Sequence, residues 1–236
     1  GAAAIFLNES WESFSKGATS SNHAVAQSAI AQLHRHRSVS EGRNFEEVYA
    51  DDITNGYLWI DFSSVPDVTA NSTADECAKV QRDRALAIAS TPKYISRATY
   101  FYMCALKSTT EANKTIDFNS WRESGWSRAE ELANFLSPQQ TMMPVVITDA
   151  PKVSVLDFFD FWVFRANVPA CSVFNGSFNC CSKGHVKMIA DGRKWFTPCD
   201  KYLLEEMLEA MYDEKLTALK AAGHDYLYKC YKVMEP

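Results

Sequence analysis

The first 150 residues alternate between short runs of apolar residues and longer stretches in which apolar residues recur every three or four positions. The short runs are typical of strands buried on both faces of a sheet, and they fall at 2–7, 57–62, 99–106 and 144–148. The longer stretches predict helices, at 23–36, 75–90 and 127–136. Alternating strands and helices predict an α/β fold with a mainly parallel sheet.

The pattern changes after residue 150. Residues 201–219 carry their apolar side chains on one face and predict an amphipathic helix, for which Asp200 is the expected cap. The aromatic stretch 226–233 is expected to close the domain. We therefore expect an α/β core over 1–150 and an α-rich C-terminal extension over 151–236, packed on the core as a single domain overall.

The composition is that of an ordinary soluble globular protein, with 47% apolar and 22% charged residues. Lysine and arginine number 24 against 29 aspartate and glutamate, so no basic surface predicts binding to nucleic acid. No apolar run reaches the roughly 18 to 20 residues that span a bilayer. We expect neither a nucleic-acid partner nor a membrane span, and an intracellular or organellar location is favoured over secretion.

Seven cysteines are present, and four of them fall in a short stretch that also contains His185. These four are Cys171, Cys180, Cys181 and Cys199. A zinc ion can be bound by such a set, but the paired C-x-x-C spacing that is usual in zinc sites is absent. Free thiols or one local disulfide are therefore favoured, and we predict neither a metal ligand nor a required cofactor.

Short catalytic signatures give little guidance. The chain contains no P-loop, no G-x-G-x-x-G, no G-x-S-x-G and no H-E-x-x-H motif. These absences disfavour P-loop NTPases, Rossmann dehydrogenases, α/β-hydrolases and zincin proteases. In a parallel sheet, functional residues gather at the carboxyl ends of the strands, which here are residues 8–11, 61–67 and 107–125.

Three motifs at these strand ends carry a family resemblance. They read IFLNESW at 5–11, YLWIDFSSVP at 57–66 and SWRESGWSRAE at 120–130. Together they resemble the TIR-like proteins related to fungal heterokaryon-incompatibility (HET) domains, in the version common among algae and other protists. The resemblance covers roughly residues 4 to 136 and implies a flavodoxin-like sheet flanked by helices.

The resemblance also implies NAD glycohydrolase activity. In catalytic TIR domains a glutamate lies four positions after the tryptophan of a W-C-x-x-E helix, and here Glu130 follows Trp126 by four. Glu130 would stabilise an oxocarbenium-like transition state as nicotinamide leaves NAD. Trp11 and Trp126 are expected to form aromatic walls of the pocket. Asp61 and Ser63 are expected to hold ribose or phosphate oxygens of the NAD substrate.

Several positions depart from the family pattern. Glu9 stands where the family has histidine, and Ser124 and Ser127 stand where it has arginine and cysteine. An acid in place of a cation-capable residue works against binding a pyrophosphate, and a decayed active site would show such changes. The alternative is a non-catalytic TIR-like module that associates with itself or serves as a subunit of a larger assembly. In that case Glu130 is a solvated carboxylate near a helix amino end.

Overall fold

The computed structural model describes residues 54–55, 65–98, 101–105, 108–109, 115–137, 144–149, 152–155 and 172–233. The helices are α1 (Ala74–Arg97), α2 (Phe118–Glu123), α3 (Gly125–Leu136), α4 (Asn179–Ser182), α5 (Asp200–Ala221) and α6 (Asp225–Lys232). The strands are β1 (Tyr102–Cys104), β2 (Ser108–Thr109), β3 (Thr115–Ile116), β4 (Val145–Asp149), β5 (Lys152–Val155), β6 (Val186–Met188) and β7 (Lys194–Phe196). The strands expected at 2–7 and 57–62 and the helix expected at 23–36 lie outside the described residues.

The chain forms two compact units that interleave along the sequence. The first comprises residues 1–58, 99–121 and 141–158. The second comprises residues 59–98, 122–140 and 159–236. Helices α1 and α3 therefore share the second unit with α5 and α6, although both precede residue 150. The boundary at residue 150 stays a prediction.

In the first unit, β1 and β4 pair in parallel, with Tyr102 opposite Val145 and Cys104 opposite Ile147. Two of the predicted strands are thus present and parallel to each other. Strand β5 adds to β4 in the antiparallel direction, so the described sheet is mixed, in the order β1-β4-β5. Strands β2 and β3 form a separate antiparallel pair. The mixture of helix and strand agrees with the predicted α/β class, while the flavodoxin-like topology stays a prediction.

In the second unit, α1 begins with a capping box. Thr73 accepts a hydrogen bond from the backbone N–H of Glu76, and the Glu76 carboxylate accepts one from the N–H of Thr73. The helix predicted at 75–90 is longer in the structure, because α1 continues through Pro92 to Arg97. A proline leaves one helical carbonyl without its usual donor, and the rest of the helix tolerates that single loss.

The predicted amphipathic helix is confirmed as α5, which contacts α1, α3 and α6. Its buried apolar side chains are Leu204, Met207, Leu208, Met211, Tyr212, Leu216 and Leu219. Helix α6 joins this core as expected, because the Tyr231 hydroxyl donates to the Phe135 carbonyl of α3 at 2.7 Å. None of the helices in the described part combines the length and the apolar character that crossing a membrane requires.

Candidate metal centre

The segment between Ser172 and Cys199, called the cysteine segment below, consists of short elements. A 3-10 turn over Val173–Asn175 leads to α4, and a turn over 183–185 leads to the β6–β7 hairpin. The hairpin returns the chain to Cys199, immediately before α5. This path brings residues that are far apart along the segment to one place.

Four potential metal ligands converge there: Cys180, Cys181, His185 and Cys199. One ligand atom from each residue lies within 4.8 Å of the corresponding atom of every other. The Sγ atoms of Cys180 and Cys181 are 4.0 Å apart, and those of Cys181 and Cys199 are 3.7 Å apart. Cys181 is exposed, whereas the other three side chains are partly buried.

These sulfur separations match a metal-centred tetrahedron. A zinc–thiolate bond of about 2.3 Å in tetrahedral geometry places two sulfurs about 3.8 Å apart. A disulfide would need sulfurs about 2.05 Å apart, and the three cysteines of the cluster are free thiols. The local disulfide favoured from the sequence is therefore not formed among these three residues.

His185 reaches the cluster through an unusual backbone. It has a φ of 56°, directly after Gly184 with a φ of 64°. Left-handed conformations are rare outside glycine and accumulate at functional sites. In this conformation the His185 N–H donates to the Cys180 carbonyl at 2.8 Å, and the Gly184 N–H donates to the Cys181 carbonyl at 3.0 Å. The turn thus folds the imidazole back over the thiols that precede it.

The His185 side chain also has hydrogen-bonding capacity to spare. Its Nδ1 is buried, and no hydrogen-bond partner for it exists among the described residues. Buried polar atoms are nearly always satisfied, so such an atom needs an explanation. A metal ion bound directly by Nδ1 would supply one.

The amino end of α5 lies against the cluster. The backbone N–H of Asp200, the first residue of the helix, donates to the Cys180 Sγ at 3.5 Å. The positive end of a helix dipole and a donated hydrogen bond both stabilise a thiolate. Burial raises the pKa of the Cys180 thiol to about 12. A bound cation would counter this effect and favour the thiolate.

The side chain of Asp200 does not cap α5 as predicted, because Cys199 occupies the N-cap position and Asp200 is already helical. The buried Asp200 carboxylate instead accepts hydrogen bonds from the Arg84 guanidinium, the shortest at 2.9 Å. It also accepts one from the Trp126 indole Nε1 at 2.9 Å. Helices α1, α3 and α5 therefore meet at one carboxylate.

The structure describes two of the residues predicted to bind or cleave NAD, Trp126 and Glu130. Trp126, expected as a pocket wall, uses its indole N–H to bind Asp200. Glu130 lies on α3 one turn after Trp126 and is partly buried. Trp11, Asp61 and Ser63 lie outside the described residues, so their proximity to Glu130 stays a prediction.

All four ligands could be recognised in the sequence, but their spacing did not predict a zinc site. The ligands follow C-C-x3-H-x13-C, without the C-x-x-C pair on which the sequence argument depended. Gly184, directly before His185, is a sequence feature that could have indicated the turn that returns the histidine to the thiols. No sequence signal identified the contacts of Asp200 with Arg84 and Trp126.

Comparison of the chain with protein-family models, with curated proteins and with solved structures found no match in any of the three. The candidate site is therefore defined by the geometry of its own residues.

Proposed function

We propose that this chain is a zinc-binding protein in which Cys180, Cys181, His185 and Cys199 hold one structural Zn²⁺. The observation that carries the proposal is the convergence of four ligand atoms within 4.8 Å, with sulfur separations of 3.7 and 4.0 Å. Three thiolates and one imidazole form a Cys3His set, which is common in structural zinc sites.

The ligand chemistry supports zinc over Ca²⁺ and Mg²⁺. Ca²⁺ and Mg²⁺ prefer oxygen ligands, whereas thiolate and imidazole suit Zn²⁺. Four protein ligands complete a tetrahedron and leave no position for a reactive water, which distinguishes a structural site from a catalytic one. The metal would therefore stabilise the fold of the cysteine segment instead of activating a substrate.

Metal analysis of the purified protein tests this proposal. We expect about one zinc per chain, the stoichiometry of a single Cys3His site, with loss of zinc in Cys199→Ser. Cys104→Ser is the matched control, because Cys104 is a free thiol on β1 outside the cluster. Substitution with Co²⁺ should give the absorption of tetrahedral thiolate coordination. A reconstituted protein without zinc, or equal zinc binding by Cys199→Ser, would overturn the proposal.

We also propose that the second unit acts as an association module, the alternative raised by the sequence. In the β6–β7 hairpin Val186 pairs with Phe196 and Met188 with Lys194, so these four share one face. Phe196 is 71% exposed and Met188 is 51% exposed. Exposed apolar side chains on one rigid face are typical of a contact with another protein.

Sedimentation over a range of protein concentrations tests self-association through this face. The wild type should form a dimer as concentration rises, and Met188→Ser with Phe196→Ser should remain monomeric. Leu86→Ser is the matched control, because Leu86 on α1 is also exposed, at 69%. A monomeric wild type at high concentration, or a dimer that survives the double substitution, would refute the proposal.

The NAD glycohydrolase expectation has a direct test of its own. It is supported by the resemblance and by the helical, partly buried position of Glu130. The parallel pairing of β1 and β4 supports the flavodoxin-like topology proposed with it. Nicotinamide release from NAD should be lost in Glu130→Gln if the site is active. Glu123→Gln, an exposed carboxylate one helix earlier, is the control.

A further inference from the structure

We infer that Asp200 is the residue through which the zinc site positions Trp126 and the first turn of α3. The inference rests on the proposed zinc-binding function and extends it from a local structural role to the arrangement of helices α1, α3 and α5.

Asp200 contacts both sides of this connection with different groups. Its backbone N–H donates to the Sγ of the ligand Cys180 at 3.5 Å, and the ligand Cys199 is its chain neighbour. Its carboxylate accepts from Trp126 Nε1 at 2.9 Å and from Arg84 at 2.9 and 3.0 Å. A single residue therefore links a metal ligand to two helices.

The metal determines how firmly the backbone group is held. A thiolate accepts a charge-assisted hydrogen bond, which is shorter and about twice as strong as one to a neutral group. The ion also holds Cys180 and Cys199 in one coordination sphere, and this fixes the chain at the first turn of α5. Because the carboxylate extends from that turn, its direction toward Trp126 depends on the metal.

The other end of the cysteine segment contacts the same turn of α3. The Gly125 N–H donates to the Ser177 carbonyl at 2.8 Å, and the Ser177 N–H donates to the Glu123 carbonyl at 2.8 Å. A Cβ added at Gly125 would lie 2.1 Å from the ring of Phe178. Phe178 precedes the ligand Cys180 by two residues, so the sequences on both sides of the metal ligands pack on the start of α3.

Trp126 allows this coupling to be measured directly. The protein is labelled with 5-fluorotryptophan, its ¹⁹F spectrum is recorded with zinc bound and after chelation, and Trp126→Phe assigns the Trp126 signal. We expect a clear shift of this signal on chelation and its recovery on zinc addition. Trp195 on β7, in the cysteine segment, is the internal reporter of metal-dependent folding.

Asp200→Ala separates the role of the carboxylate from zinc binding, because it keeps the backbone N–H and all four ligands. We expect zinc affinity within about tenfold of wild type, the lower range for changes around a metal's ligands. The Trp195 signal should still respond to zinc, and the Trp126 response should fall to the part that the contact between Ser177 and Gly125 transmits. Asp200→Asn keeps an acceptor for the indole and should restore much of the Trp126 response. If the alanine variant does not fold, Asp200→Ser, with a shorter side chain than aspartate, replaces it.

The outcomes separate the two proposals. Zinc binding with a wild-type Trp126 response in Asp200→Ala, or in Asp200→Ser where it replaces the alanine variant, would overturn the inference and leave the zinc site intact. Zinc binding by the wild type without any Trp126 response would do the same. A wild type that binds no zinc would overturn both.

Discussion

Two regions of the second unit differ in how many apolar side chains they bury. The helices α1, α3, α5 and α6 share an apolar core, to which α5 alone contributes seven buried apolar side chains. The cysteine segment buries only Val173, Phe178 and Ile189 among its apolar side chains. The helical region contains an ordinary hydrophobic core. The cysteine segment consists of short elements and buries few apolar side chains.

The difference gives a physical reason for the proposed metal site. Three buried apolar side chains give the whole cysteine segment less hydrophobic stabilisation than the seven of α5 give one helix. Small regions of this kind are commonly stabilised by disulfides or metals, and here the thiols are free and arranged for a metal.

Zinc removal should give the largest difference between the two regions. Structural zinc binds zinc-finger peptides with apparent free energies of about 10–16 kcal/mol at pH 7, and this energy is available for folding. Chelation should therefore abolish hydrogen-exchange protection in the β6–β7 hairpin while the interior of α5 stays protected. Equal loss of protection in both regions would contradict the division, and unchanged protection in the hairpin would show that the segment folds without metal.

A cavity in the helical core should lower the stability of the protein without changing its zinc content. Leu208 is fully buried on α5, so Leu208→Ala should lower the free energy of unfolding by about 2–5 kcal/mol. Zinc stoichiometry should not change. Leu86→Ala on α1 is the control, since Leu86 is 69% exposed and surface changes stay within about 0.5 kcal/mol. Urea unfolding followed by far-UV circular dichroism measures both variants, and equal losses would contradict the prediction.

The helices were more predictable from the sequence than the site. The buried face of α5 could be recognised from its apolar spacing, because burial against neighbouring helices imposes that spacing wherever it occurs. The start of α3 at Gly125, after the cap Ser124, likewise agrees with the helix predicted there. Local pattern was sufficient for both elements, because the apolar spacing of α5 and the cap of α3 can each be recognised within one continuous stretch of chain.

The geometry of the site could not be predicted from local sequence patterns in this way. Its geometry depends on a left-handed backbone at His185, which the sequence permits but does not require. The bond between Trp126 and Asp200 joins residues 74 positions apart, and neither residue carries a sign of the other. Asp200 was predicted as a helix cap from its position alone. Its carboxylate instead binds Arg84 and Trp126, which lie on other helices.

Removing the Arg84 partner of the Asp200 carboxylate should cause an intermediate loss of stability. Arg84→Met removes the charged partner of the buried Asp200 and leaves the Trp126 indole as its one side-chain donor in the part of the chain that the structure describes. Hydrogen bonds to charged groups contribute about 1.5–3 kcal/mol, and we expect a loss of stability in that range. Arg82→Met, on an exposed position of the same helix, is the control. No loss in Arg84→Met would mean that the carboxylate is satisfied without it.

The smallest effect concerns the contact between α6 and α3. Tyr231→Phe removes the hydroxyl that donates to the Phe135 carbonyl, and should cost about 0.5–1.5 kcal/mol. Tyr226→Phe should cost nothing measurable, because Tyr226 is 75% exposed. Urea unfolding at pH 7 compares the stabilities of the two variants. Neither substitution should change zinc binding.

The same tyrosine predicts a dependence on pH. Burial raises the pKa of Tyr231 above its ordinary value. Its contribution is therefore fully present below the unfolded-state pKa of about 10, and it is lost as pH rises above that value, because only the unfolded chain then releases the proton. Between pH 9 and the onset of alkaline unfolding, wild type should lose stability faster than Tyr231→Phe. Parallel pH profiles for the two proteins would show that Tyr231 ionises as readily in the folded state as in the unfolded one.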